Sequence, residues 1–231
     1  MTLQLSRTIA TTALVAVSLF GLAACAAGPL PEPDETQIGA TDEAEETEEA
    51  APVTAEGQPS WALPVTTDGE KIATIEVGGI VVEVYQVAVT QATKTGQFAT
   101  ADGEPVIAVG DDIVFVNYVI SNTGDPIDLG ASLVLISARY DDWPYLQGMD
   151  SVVDFDLFEQ IGVNYDPFGP DSYVDPGVYT FGTGERYSYG QNFPYQSGSP
   201  IGFEVRVTPV DSEGDLIHDD GLESTGAGVI E

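Results

Sequence analysis

Soft metal ligands are scarce in this chain: 231 residues hold one Cys, one His and two Met. Zinc, copper and haem sites each draw several ligands from those types, so composition excludes them. His218 stands beside Asp219 and Asp220 in an acidic, Gly-rich end, a poor setting for a Ser-His-acid triad. Lys and Arg are also rare, six against 38 Asp and Glu, giving a net charge of −32. A surface of that sign repels nucleic acid and anionic lipid headgroups, so we expect no nucleic-acid partner. The same charge favours solubility, cationic partners or divalent ions, and it equally suits a saline setting. No Gly-rich loop follows a strand and opens a helix, and Gly182-Thr-Gly184 reads as a turn. No internal repeat is evident.

The single cysteine is well placed. A short polar start with Arg7 leads into an apolar stretch from Ala13 to Leu22, closed by Leu22-Ala-Ala-Cys25. These are the basic start, apolar core and small-residue exit of a secretory signal peptide. The core is shorter than the ~20 residues a membrane span needs. A retained membrane helix and an unmodified thiol are the competing readings. The ending resembles the lipobox of bacterial prolipoproteins. That resemblance implies cleavage after residue 24, a diacylglycerol on the Cys25 thiol, and a palmitate-type anchor on the extracytoplasmic face of the cell membrane. Two or more acyl chains anchor a protein stably where one is marginal. The segment removed holds Arg7 and no acid, so the remainder is more acidic still. With Cys25 acylated, no thiol is left for disulfides, and the fold must be stable without them.

Residues 25–60 read as an acidic linker. Thr41-Asp-Glu-Ala-Glu-Glu-Thr-Glu-Glu-Ala50 is almost wholly acid, Ala and Thr. Such a stretch buries too little apolar surface to offset chain entropy, and its charges extend it. Residues 61–210 read as strands. Ile80–Val89 and Ile113–Ile120 are rich in the β-branched and aromatic residues that suit a pleated sheet. Ile127–Leu129 and Ser132–Arg139 read as two more strands. In Phe203-Glu-Val-Arg-Val-Thr208 apolar and polar residues alternate with period two. One short helix is expected from Asp156-Leu-Phe-Glu159, an acid-x-x-Glu start, to a stop at Gly162. Residues 211–231 are acidic and Gly-rich and are expected to be a disordered tail beyond Ile217.

The run Val109-Gly-Asp-Asp-Ile-Val-Phe-Val-Asn-Tyr-Val-Ile-Ser-Asn-Thr-Gly-Asp-Pro-Ile-Asp-Leu129 resembles the strand-turn-strand core of immunoglobulin-like domains in actinobacterial lipoproteins of unknown function. There an Asn-Thr-Gly type turn joins two core strands. The resemblance implies an all-β, immunoglobulin-like antiparallel β-sandwich, and it brings no catalytic residues with it.

Carboxylates are the one catalytic type in supply, and glycosidases need two at roughly 5–10 Å. Asp141, Asp142, Asp154, Asp156 and Glu159 are candidates, but spacing singles out no pair. Fourteen of the 21 aromatic residues lie between Tyr140 and Tyr195, interleaved with acids and prolines. Such rings suit sugar stacking or a protein interface if exposed, and loop anchoring if buried. Trp143, Tyr145, Tyr165 and Phe168 are the candidate ligand-binding residues. Trp143 is the first choice for exposure, because Asp141, Asp142 and Pro144 favour a loop. Calcium is the remaining cofactor to weigh, through Asp150, Asp154 and Asp156; diffuse counter-ion binding is the alternative. The sequence therefore suggests a monomeric, lipid-anchored, non-catalytic interaction module facing an envelope protein or glycan. A wall-glycan hydrolase and a purely structural surface protein are the alternatives.

Overall fold

The computed structural model describes residues 57–231. The signal segment, Cys25 and the linker up to residue 56 lie outside them. The β-branched runs form β1 (Glu70–Val77), β2 (Ile80–Gln91), β3 (Asp112–Asn122), β4 (Ile127–Tyr140), β5 (Tyr179–Phe181), β6 (Arg186–Pro194), β7 (Ser199–Pro209) and β8 (Leu222–Ile230). One helix, α1 (Phe155–Ile161), lies between β4 and β5. The strands make two four-stranded antiparallel sheets, ordered β1-β2-β3-β6 and β5-β4-β7-β8. Lettered like an immunoglobulin sandwich, β2, β3 and β6 stand where A, B and E stand. β5, β4, β7 and β8 then take the places of C′, C, F and G.

The main core lies between the sheets. Val82, Val84, Val114, Val116, Tyr118 and Ile120 of the first pack with Val134, Ile136, Phe203, Val205 and Val207 of the second. The alternation read in 203–208 holds, with Phe203, Val205 and Val207 buried. The Asn-Thr-Gly turn carries the chain from one sheet to the other. Buried Asn122 pins it, donating through Nδ2 to the Asp125 and Phe181 carbonyls and accepting from Gly124 N–H. A Cβ on Gly79 would come within 2.6 Å of Gly124 Cα, so close approach requires both glycines.

The two strands expected over 127–139 are one strand. Its pairing with β7 jumps from Leu129 to Val134, and Leu133 takes a left-handed φ of 48°. An irregularity of this kind bends a strand without ending it. The first sheet is also covered on its outer face. Ile113 and Phe115 of β3 pack under α1 and the 92–111 loop in a second, smaller cluster with Val152, Leu157 and Phe158. The helix opens at Asp154, two residues before the acid-x-x-Glu signature. It closes at Gly162, whose left-handed N–H reaches the carbonyls of Phe158 and Glu159.

Both expected domain ends need correction. Residues 211–231 are not a tail: β8 pairs with β7 from Leu222 to Ile230, and Ile230 is fully buried. The glycines that suggested disorder serve close packing against β1. A Cβ on Gly226 would lie 2.3 Å from Ile75 Cγ1, and one on Gly228 would lie 2.8 Å from the Ile72 carbonyl oxygen. At the other end, the domain includes Gly57–Ser60. Arg186 N–H donates to the Gly57 carbonyl at 2.8 Å, and Pro59 is buried.

Candidate functional site

Most of the aromatic crowding is structural. Trp143 is buried, 7% exposed, with its ring edge-on to half-buried Tyr145 at 5.2 Å and Nε1 donating to the Gln147 carbonyl. The loop does turn there, as its Asp and Pro residues dictate. Arg139 folds it back, donating to the carbonyls of Trp143, Tyr145 and Gln147. Phe168 is half-buried against Trp61 at 5.6 Å and Tyr179 at 4.7 Å. Only Tyr165 stands substantially in solvent, 40% exposed, beside Phe155 at 4.6 Å and Phe158 at 5.0 Å. The four candidates thus divide among three packing sites.

Two exposed rings went unread in the sequence, Phe155 (61%) and Tyr173 (80%). Phe155 had a signal. The helix buries Leu157 and Phe158, and position 155 falls off the arc they share.

The segment 141–178 wraps the open side of the sandwich between β4 and β6. β5 pairs with β4 only at Ile127–Leu129, so from Val134 onward β4 has β7 on one side and no strand on the other. β6 is the edge of the first sheet. Its outward groups are partly covered, since Gly190 N–H donates to the Asn164 carbonyl and the Asn192 amide exchanges two bonds with Val152. A cleft of about 370 Å³ remains between the two strands, walled by residues 136–138 of β4 and 189–193 of β6 and closed by Met149, Val152, Val153, Phe158 and Tyr165. No charged side chain lines it. Gly190 keeps its wall thin, for a Cβ there would lie 2.1 Å from Val163 Cγ1. A hollow of about 520 Å³ adjoins it along β4 and is bordered by Arg139, Asp141 and Glu204.

Tyrosines bridge the two strands beside the cleft. The Tyr187 hydroxyl of β6 accepts from Val134 N–H of β4 at 3.2 Å. Tyr140 of β4 donates to the Pro194 carbonyl of β6 at 2.9 Å, while Tyr118 of β3 donates to Gln191 Oε1 within the first sheet at 3.0 Å. Burial raises the pKa of all four phenols well above the ordinary tyrosine value. All four stay neutral at physiological pH.

The carboxylates considered for calcium do not converge. Asp150 is fully buried, and its Oδ1 accepts from the N–H groups of Gln97, Phe98 and Ser151. Its Oδ2 lies against Gly96, where an added Cβ would meet it at 2.0 Å. Asp154 accepts from the Thr93 hydroxyl and pairs with Lys94 at 3.2 Å. That hydroxyl first, and then the ammonium, hold its carboxyl below the usual range. Asp156 is exposed on the helix. Among the described residues no group of three His, Cys, Asp or Glu is placed to hold a metal. Asp150 and Asp154 instead tie the 93–98 loop to the start of the helix. Asp141, Asp142 and Glu159 are exposed, as is His218. No helix among the described residues is long and apolar enough to cross a membrane.

The architecture is an all-β sandwich of two antiparallel sheets with one short helix and one uncharged cleft. No family model and no curated protein matches the chain. Among solved structures it is similar to a Bacillus subtilis chain, ycdA, described provisionally as a lipoprotein, with 14% identity and a TM-score of 0.30. The match covers 69% of this chain and 38% of that one, so it spans well under half of the other protein. At this score the likeness carries no argument about fold or function.

Proposed function

We propose that this protein is a lipid-anchored surface lipoprotein whose sandwich is a non-catalytic interaction module, working through the cleft between β4 and β6. Leu22-Ala-Ala-Cys25 supports the anchor. The observation that carries the interaction is the Phe155–Tyr165 pair. Two rings at 61% and 40% exposure stand beside an uncharged cleft, in a segment whose other rings are mostly spent on packing. Exposed aromatics next to a concave surface are the usual anchors of recognition.

The hydrolase alternative finds less support. A general acid needs a carboxyl whose pKa is pushed up. The two displaced carboxylates, Glu83 and Asp154, are both pushed down by cationic or hydroxyl partners. No carboxylate lines the cleft.

The test has two arms. Cys25→Ser should move the protein from the membrane fraction to the soluble one, and an unchanged distribution would remove the anchor. Hydroxyl-radical labelling of Phe155 and Tyr165 should be several-fold weaker on intact cells than on the purified protein. Equal labelling would remove the cleft as the interaction site.

A further inference from the structure

Resting on that reading of the cleft, we propose that its ligand is an extended, basic peptide segment that adds to β4 as an extra strand. The argument begins with the ladder. Asp141 N–H donates to the Pro200 carbonyl of β7, while Val134 N–H points the other way, to the Tyr187 hydroxyl. In an antiparallel pair both main-chain groups of a residue point to the same side, and the side alternates with period two. Residues 135, 137 and 139 therefore bond β7, and 134, 136 and 138 face the cleft.

The outward groups are then accounted for one by one. The Tyr187 strut of β6 occupies the N–H of Val134. Beyond it, no hydrogen bond among the described residues takes the Ile136 carbonyl or the outward N–H and carbonyl of Ala138. A strand edge left with unpaired groups is a template for another strand, and proteins normally cover or charge such edges. Here Ala138 and Ser137 line a cleft that holds no charged side chain. One ligand residue opposite Ala138 would exchange both backbone bonds with it. The ligand residue two further on would donate to the Ile136 carbonyl. The cleft behind, about 370 Å³, receives a side chain. This is the arrangement of strand addition, where the main chain supplies affinity and a pocket supplies selection.

Charge chooses the peptide's sign. The chain carries −32 net. Exposed Asp141, Asp142 and Asp156 belong to the segment that closes the cleft, and Glu204 borders the adjoining hollow. Of the nearby cations, Lys94 is paired with Asp154 and Arg206 with Glu204 and Glu223, while Arg139 is held on three loop carbonyls and keeps its charge. Asp141, Asp142 and Asp156 enter no ion pair among the described residues, so the excess charge around the cleft is negative and favours a cationic strand over an anionic one.

The probe is a set of blocked hexapeptides alternating lysine with valine, leucine or phenylalanine, titrated into the full-length chain. The expected result is saturable binding by at least one of them, with amide exchange at Ala138 slowed at least tenfold and exchange at Val134 unchanged. Methylating alternate backbone nitrogens of that peptide in one register should weaken binding at least tenfold, while the other register binds as before. Equal binding by both methylated forms would overturn strand addition. Equal binding by the glutamate counterparts would overturn the charge argument. No binding by any peptide, or binding by a chitin hexasaccharide instead, would overturn the proposal. If Phe155 and Tyr165 are nevertheless shielded on cells, the cleft remains the interaction site and only the ligand class fails.

Discussion

Trp143 shows how a loop residue becomes a core residue. Asp141, Asp142 and Pro144 set the backbone as a turn, and that turn aims the indole inward, where Arg139 clamps the loop over it. Truncating a buried Trp costs about 3–5 kcal/mol. Trp143→Ala should therefore lower the melting temperature by roughly 10 °C, given a few degrees per kcal/mol for a domain of this size. A shift of a degree or two would place the ring outside the core. The buried tyrosines set a second expectation. Tyr118, Tyr140, Tyr187 and Tyr189 keep their protons above pH 10.0, where exposed tyrosines lose theirs. Their pKa values are raised in the folded state, so unfolding releases protons above pH 10 and stability falls as pH rises. Below that pH they contribute no pH dependence. A titration followed at 295 nm should show these phenols ionising together with unfolding. Ionisation of every tyrosine near pH 10 with the fold intact would contradict their burial.

At the level of elements, strands were legible where apolar residues do the packing and illegible where small residues do it. Phe203, Val205 and Val207 announce β7 by alternation. The sequence of β8, Leu-Glu-Ser-Thr-Gly-Ala-Gly-Val-Ile, offers no such pattern. Its glycines read as disorder because close approach to Ile72 and Ile75 has no signature in a single sequence. The helix end was legible at Gly162, whereas its start was displaced because the Asp154 side chain serves Thr93 and Lys94 instead of capping. The cleft was illegible for a similar reason. It exists because β5 covers only three residues of β4, and sheet pairing across fifty residues leaves no local trace. Limited proteolysis of the purified protein should leave residues 222–230 attached to the core under conditions that cut the acidic stretch before residue 57. Early removal of the last ten residues would contradict β8.

For the whole molecule, charge and topology work together. An acidic domain repels the anionic surface on which the proposed anchor places it, so the sandwich gains nothing from lying against the headgroups. Its aromatic residues are largely committed to packing the core between the sheets, and Trp143, Phe158 and Phe168 pin the 141–178 segment across their open side. The surface proposed for a partner is the cleft, the exposed Phe155–Tyr165 pair beside it and the free edge of β4. The most direct measurement is photo-crosslinking on intact cells from a reactive residue placed at position 155, compared with the same residue at exposed position 222 on β8. The account predicts a discrete adduct from position 155 and none from position 222. Adducts of equal yield from both positions, or none from 155, would contradict it.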